Sequence, residues 1–96
     1  MESILQMPIR IIKEQELVIG PLAWDEAKKV AGLTIDQPHN SVSFSNSFSG
    51  DKKDAINRLV AQYERLFGRA SQEVCRESVQ DLIAEMSPEE IPSSLR

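Results

Sequence analysis

Residues 54–86, DAINRLVAQYERLFGRASQEVCRESVQDLIAEM, decide how this chain folds. Helical geometry advances about 100° per residue, so Ile56, Leu59, Val60, Tyr63, Leu66 and Phe67 share one face. Val74, Cys75, Ser78, Val79, Leu82, Ile83 and Met86 share a second face. In one unbroken helix the second stripe would sit roughly 110–120° around from the first. A straight helix cannot turn both stripes to one surface, so the spacing predicts a break or two different partners. Gly68 lies where the phase shifts and offers a left-handed stop. Ser71 offers a new N-cap, with Glu73 close behind. Two helices are therefore expected, one ending near Phe67 and one covering about 72–86.

Outward from this stretch, Asp51 is placed to cap the first of these helices and Asp54 sits in its first turn. On the far side, Ser87-Pro88-Glu89-Glu90 has the form of a capping box with proline at the first helical position. Pro92 stops that turn, and a frayed tail is expected over 93–96, as it is over 1–7. Residues 1–20 admit two patterns. Ile9, Ile12, Val18 and Ile19 fit helical spacing, whereas Ile9, Ile11, Leu17 and Ile19 fit alternation. The Lys13-Glu14-Gln15-Glu16 run favours a helix from about Pro8 to Val18. Gly20-Pro21 is a boundary, and Pro21 to Ala31 reads as a second helix with a small-residue face, ended by Gly32. Between Gly32 and Asp51 the chain changes character. Leu33-Thr34-Ile35 fits as a partner for Val42-Ser43-Phe44 in a small β-hairpin, or the segment is a loop anchored by Phe44 and Phe48. The expected architecture is mainly α: a single small bundle of about four helices, broken at Gly68, with an extended or hairpin-like insertion near 33–50.

Composition narrows the function. The net charge of −4 and pI near 4.9 oppose general nucleic-acid binding and docking on an anionic membrane. Only five residues are aromatic, Trp24, Phe44, Phe48, Tyr63 and Phe67, so the core is thin and burial against another protein would help it. A single cysteine, Cys75, leaves no disulfide framework and no cysteine-based zinc site. No apolar run is long enough to span a membrane, and no signal-peptide pattern opens the chain, so a cytoplasmic location is expected.

Candidate chemistry is sparse. His39, the one histidine, sits in a polar turn with Asp36 nearby and no nucleophile tied to it by a motif. Cys75 lies on an apolar stripe beside Arg76; core packing is the expected use, and a reactive thiol is the alternative. Glu77, Asp81 and Glu85 repeat every four residues, an acidic row without the loop ligands of a calcium site. Arg58, Arg65, Arg69 and Arg76 would line one face of a continuous helix, and a break at Gly68 undoes that alignment. No phosphate loop, metal motif or nucleophile elbow is present, and no cofactor or metal is expected.

Ile19-Gly20-Pro21-Leu22-Ala23 resembles the IGPxA signature of small helical segments appended to bacterial signalling proteins, including regions that follow kinase domains. The resemblance implies a bacterial signalling or adaptor module and carries no catalytic residues with it. The expected function is a non-enzymatic protein-interaction module, self-associating as a homodimer or binding a protein partner. Its expected contact residues are Tyr63, Leu66, Phe67, Val79, Leu82, Ile83 and Met86. The alternatives are a regulatory domain that binds nucleic acid through the arginine face, and a ligand-binding or enzymatic domain using His39 beside the Phe44/Phe48 loop.

Overall fold

The computed structural model describes residues 3–39, 41–45 and 51–95. A 3-10 turn, Ser3–Gln6, leads into α1, Met7–Ile19, which is followed by α2, Leu22–Ala27. The hairpin strands are β1, Leu33–Asp36, and β2, Ser41–Phe44. Three more helices follow: α3, Lys52–Phe67; α4, Arg69–Ser78; and α5, Gln80–Ile83. Two 3-10 turns, Pro88–Glu90 and Ser93–Leu95, close the described chain. The architecture is mainly helical with one small insertion, as the sequence pattern implies.

The break at Gly68 is a single residue wide. Gly68 adopts φ 86 and ψ −175, a conformation essentially confined to glycine, and its N–H closes the end of α3 on the Glu64 carbonyl at 2.8 Å. α4 starts at once, at Arg69, so Ser71 is not an N-cap as expected. It lies buried inside α4. The reversal turns both stripes inward: Ile56, Leu59, Val60 and Tyr63 from α3 meet Cys75, Val79 and Leu82 in one core. α1 supplies Met7, Ile11 and Ile12, and α2 supplies Ala23, Trp24 and Ala27. The expectation of fraying at both ends does not describe Met7 or Leu95. Both are core residues, and Asn57 Oδ1 holds the last turn by accepting from the Ser94 N–H at 3.0 Å and hydroxyl at 2.6 Å.

Two further helix boundaries differ from expectation. The second helix stops at Ala27 rather than Ala31, and the turn that follows carries Val30 into the core ahead of the hairpin. The helix expected over 72–86 is kinked at Val79, with φ −121 and ψ 14. The cause is local: the Ser78 hydroxyl donates to the Cys75 carbonyl at 2.6 Å, a side-chain bond that competes with the helical ladder. Elsewhere local chemistry follows the pattern. Asp51 accepts from the Asp54 N–H at 2.8 Å as the cap of α3. Glu90 accepts from the Ser87 N–H and hydroxyl at 3.1 and 2.6 Å. The hairpin pairs Leu33 with Phe44, Thr34 with Ser43, Ile35 with Val42 and Asp36 with Ser41. Phe48 lies outside the described residues, as do residues 1–2 and 96 of the expected frayed ends.

A Cβ built on Gly68 would meet no heavy atom within 4 Å, so the cost of a side chain there is backbone strain alone. Gly68→Ala is expected to lower stability by about 1–3 kcal/mol. Gly68→Asn should fare no better, because asparagine tolerates the ordinary left-handed region and not this extended one. Urea unfolding of the three proteins checks this. Recovery of most of the lost stability by asparagine would contradict the backbone geometry.

Candidate functional site

The seven residues expected to form a contact surface divide sharply. Tyr63, Val79 and Leu82 are buried in the chain's own core and present no surface to a partner. Their stripes are consumed internally because the Gly68 reversal faces them toward α1. Phe67, Ile83 and Met86 are half-buried against the same core, and Leu66 alone is exposed, at 47%.

Leu66 has company that the sequence reading missed. Leu17 is 80% exposed, Val18 62% and Leu22 43%. Three buried or part-buried hydrogen bonds bring together the elements that carry them. Gln15 Nε2 donates to the Ser71 carbonyl at 3.0 Å, which ties the last turn of α1 to the first turn of α4. The Tyr63 hydroxyl donates to the Ala23 carbonyl at 2.7 Å, which ties the end of α3 to α2. Trp24 Nε1 donates to Glu16 Oε2 at 2.9 Å and folds the Gly20-Pro21 corner back on α1. The Ile19–Ala23 segment is that corner. The available signal was phase: the core face of α1 passes through Pro8, Ile11, Ile12, Gln15 and Ile19, and Leu17 falls about 180° from it at helical geometry.

A second surface is polar. A shallow groove of about 310 Å³ runs between the turn after α2 and the outer face of α3. Lys29, Val30 and Ala31 line one wall; Arg58, Ala61, Gln62 and Arg65 line the other. Behind it sits the nearly buried Glu26 carboxylate, which accepts from Gln62 Nε2 at 2.7 Å and Lys29 Nζ at 3.0 Å. The Gln62 bond and then the Lys29 ammonium hold this carboxyl below the usual glutamate range. Gln62 also accepts from Arg65 at 2.9 Å, so one amide fixes both charges. Arg69 and Arg76 are on α4, beyond the break, and the four arginines do not form one stripe.

The remaining candidates resolve into structural roles. Cys75 is buried, and burial pushes its thiol up to about 11, against the opposing Gln15 Nε2 bond at 3.3 Å. His39 Nδ1 lies 2.8 Å from Asp36 Oδ2 across the exposed hairpin tip. The acidic row is interrupted by the Val79 kink, and Asp81 is engaged by Arg10 at 2.7 and 3.0 Å, which lowers its pKa. Among the described residues no group of three or more His, Cys, Asp or Glu side chains is placed to hold a metal ion. None of the described helices is long and apolar enough to cross a membrane.

Two outcomes follow from these environments. Cys75 should resist an aromatic disulfide reagent at mildly alkaline pH while the protein is folded, and react fully in denaturant; labelling at the rate of a free thiol would show it to be accessible. Glu26 links stability to acid. Its folded pKa is depressed, so the unfolded chain binds the proton first, and stability present above the ordinary value of 4.5 is lost as pH falls through the lower folded value. Urea midpoints measured from neutral pH to about pH 3 should therefore fall less steeply for Glu26→Gln than for wild type. Parallel slopes would mean that the carboxylate contributes nothing to the acid response.

No protein-family model, curated protein or solved structure matches this chain, and its role rests on this geometry.

Proposed function

We propose that the chain is a non-enzymatic protein-interaction module of the adaptor kind, which associates with a second copy of itself through the apolar end formed by Leu17, Val18, Leu22 and Leu66. The observation that carries this reading is Leu17, a large aliphatic side chain left 80% exposed on the helix face opposite the core. A single exposed leucine is ordinary, but several large apolar residues gathered at one end of a small chain point to contact. The resemblance of Ile19–Ala23 to segments appended to signalling proteins supports the same reading, since that corner carries Leu22 and borders Val18.

Magnitude sets the kind of association. The exposed fractions of these residues amount to about two full aliphatic side chains per protomer. Their burial on both sides of a two-fold contact gives a gross gain of roughly 7–14 kcal/mol. Lost rigid-body freedom costs about 4–15 kcal/mol. The two ranges are comparable, and the proposed contact is accordingly a reversible one.

Sedimentation velocity across a wide concentration range tests this. Wild type is expected to shift from monomer toward dimer as concentration rises, while Leu17→Asp/Val18→Asp stays monomeric with an unchanged circular dichroism spectrum. A wild-type protein that remains monomeric at the highest concentration would remove the self-association, and an unchanged dimer in the double variant would remove this surface.

A further inference from the structure

We propose that the cleft between α3 and α4 is a peptide-binding site, filled in each chain by its own segment 91–95 and open to the same segment of a second copy. The site is separate from the surface of Leu17, Val18, Leu22 and Leu66 and does not depend on association there.

The segment is held as a bound peptide is held. The Ser93–Leu95 turn packs against both α3 and α4. Leu95 is 1% exposed in the core, Pro92 is buried and Ile91 is half-buried. Ser94 sits between two side-chain amides from opposite sides of the Gly68 corner. Asn57 Oδ1 on α3 accepts from its N–H and hydroxyl at 3.0 and 2.6 Å, and Gln72 Nε2 on α4 donates to its carbonyl at 3.0 Å. Side chains thus satisfy both the donor and the acceptor of one residue's main chain, with an apolar anchor beside them. Such contacts read main-chain groups that any segment presents, while the leucine pocket and the serine hydroxyl supply selectivity.

The backbone makes the segment separable. Among the described residues, the backbone–backbone hydrogen bonds of 87–95 stay within it: Glu90 N–H to the Ser87 carbonyl at 2.9 Å, Ile91 to Pro88 at 3.3 Å and Leu95 to Pro92 at 2.9 Å. Residues 87–90 are exposed, and the Ser87–Glu90 side-chain bonds close that turn on itself. Lys53 Nζ ties it to α3 at the surface, donating to the Glu89 carbonyl at 2.7 Å. Neither the α3 ladder nor the α4 ladder has to break for 91–95 to leave the cleft, which puts the segment at the low end of local stability. Unwinding 87–90 adds about 13 Å of reach. The occupant that fits is the one already seated, and a second copy carries it unchanged. Exchange of an identical element between copies needs no contact that the single chain lacks. Within one chain the tether holds the segment at an effective concentration of about millimolar. The chain's own segment therefore prevails in dilute solution, and a vacated cleft takes the segment of another copy.

The test is fluorescence anisotropy with a labelled synthetic peptide of residues 87–95, added to the full chain carrying Leu17→Asp/Val18→Asp so that the other surface is silent. Leu95→Asp, or the milder Leu95→Ala, unseats the resident segment in that chain, and circular dichroism certifies the variants as folded. The unseated chain is expected to bind the peptide saturably, at least about tenfold more tightly than the chain that keeps Leu95. Aspartate in place of leucine in the peptide should weaken binding by at least about tenfold. Asn57→Ala/Gln72→Ala in the unseated chain should do the same. A full chain with Asn57→Ala/Gln72→Ala and an intact segment should form a one-to-one complex with the Leu95→Asp chain in sedimentation velocity, which neither forms alone. In the wild type, which needs no substitution, the Ser94 and Leu95 amides should exchange with deuterium faster than the core amides of α3 and α4. Exchange of these two amides only through global unfolding would overturn the proposal. So would a folded Leu95 variant that ignores the peptide, or equal binding of the aspartate peptide. Peptide binding without a complex of full chains would assign the cleft to a segment of another protein and overturn the second copy as its occupant.

Discussion

The conformation of one residue governs how this chain can bury itself. At Gly68 the backbone takes a positive φ with an extended ψ, so α3 ends and α4 begins without a loop between them. A loop of several residues would also have reversed the chain, but it would have left the relative rotation of the two helices open. The single-residue corner couples them rigidly, and the coupling absorbs the phase difference between the stripes of 56–67 and 74–86. Everything beyond it follows: α4 runs antiparallel to α1, Gln15 reaches Ser71 and Cys75, and Arg10 reaches Asp81.

The same packing explains why the interior tolerates a polar side chain. Gln15 is fully buried, and its amide nitrogen is used twice, on the Ser71 carbonyl and the Cys75 sulfur, while its Oε1 has no hydrogen-bond partner among the described residues. An unmatched carbonyl oxygen costs free energy. What the residue supplies is register: a donor that fits one height on α4, where apolar side chains would allow the two helices to slide. Tyr63 works alike, anchoring its ring in the core while its hydroxyl selects the Ala23 carbonyl. Burial of both Tyr63 and Cys75 raises their pKa values, which keeps these groups neutral in the core.

Much of the fold was legible in the sequence because it rests on local rules. The Asp51 cap, the Ser87–Glu90 box, the stop at Gly68 and the pairing of Leu33–Ile35 with Val42–Phe44 each depend on a few neighbouring residues. The contact surface was not legible for the opposite reason. Periodicity identifies an apolar face, but it does not say whether that face meets another part of the same chain. Tyr63, Val79 and Leu82 have the pattern of interface residues, and α1 covers them from more than forty positions away. The kink at Val79 escaped because a serine hydroxyl bonding backward to Cys75 leaves no trace in hydrophobic phase. Leu17 was visible as an apolar residue off the helix stripe, and only the resolved face of α1 gave that displacement meaning.

The pairing of α1 with α4 also sets how the chain finds its structure. The contacts that seat Gln15 and Arg10 join residues 56, 60 and 71 positions apart. Closing loops of that length comes at an entropic cost before any of the buried surface is gained. α1 is a 13-residue helix, near the limit at which an isolated helix is marginal in water. Its lasting structure must then await the corner at Gly68 and the helix beyond it. The α1–α4 pairing thus adds to folding a non-local step that bundles whose helices pack only in sequence order do not have. The hairpin and the α3–α4 corner, built from near neighbours, form the part able to assemble first.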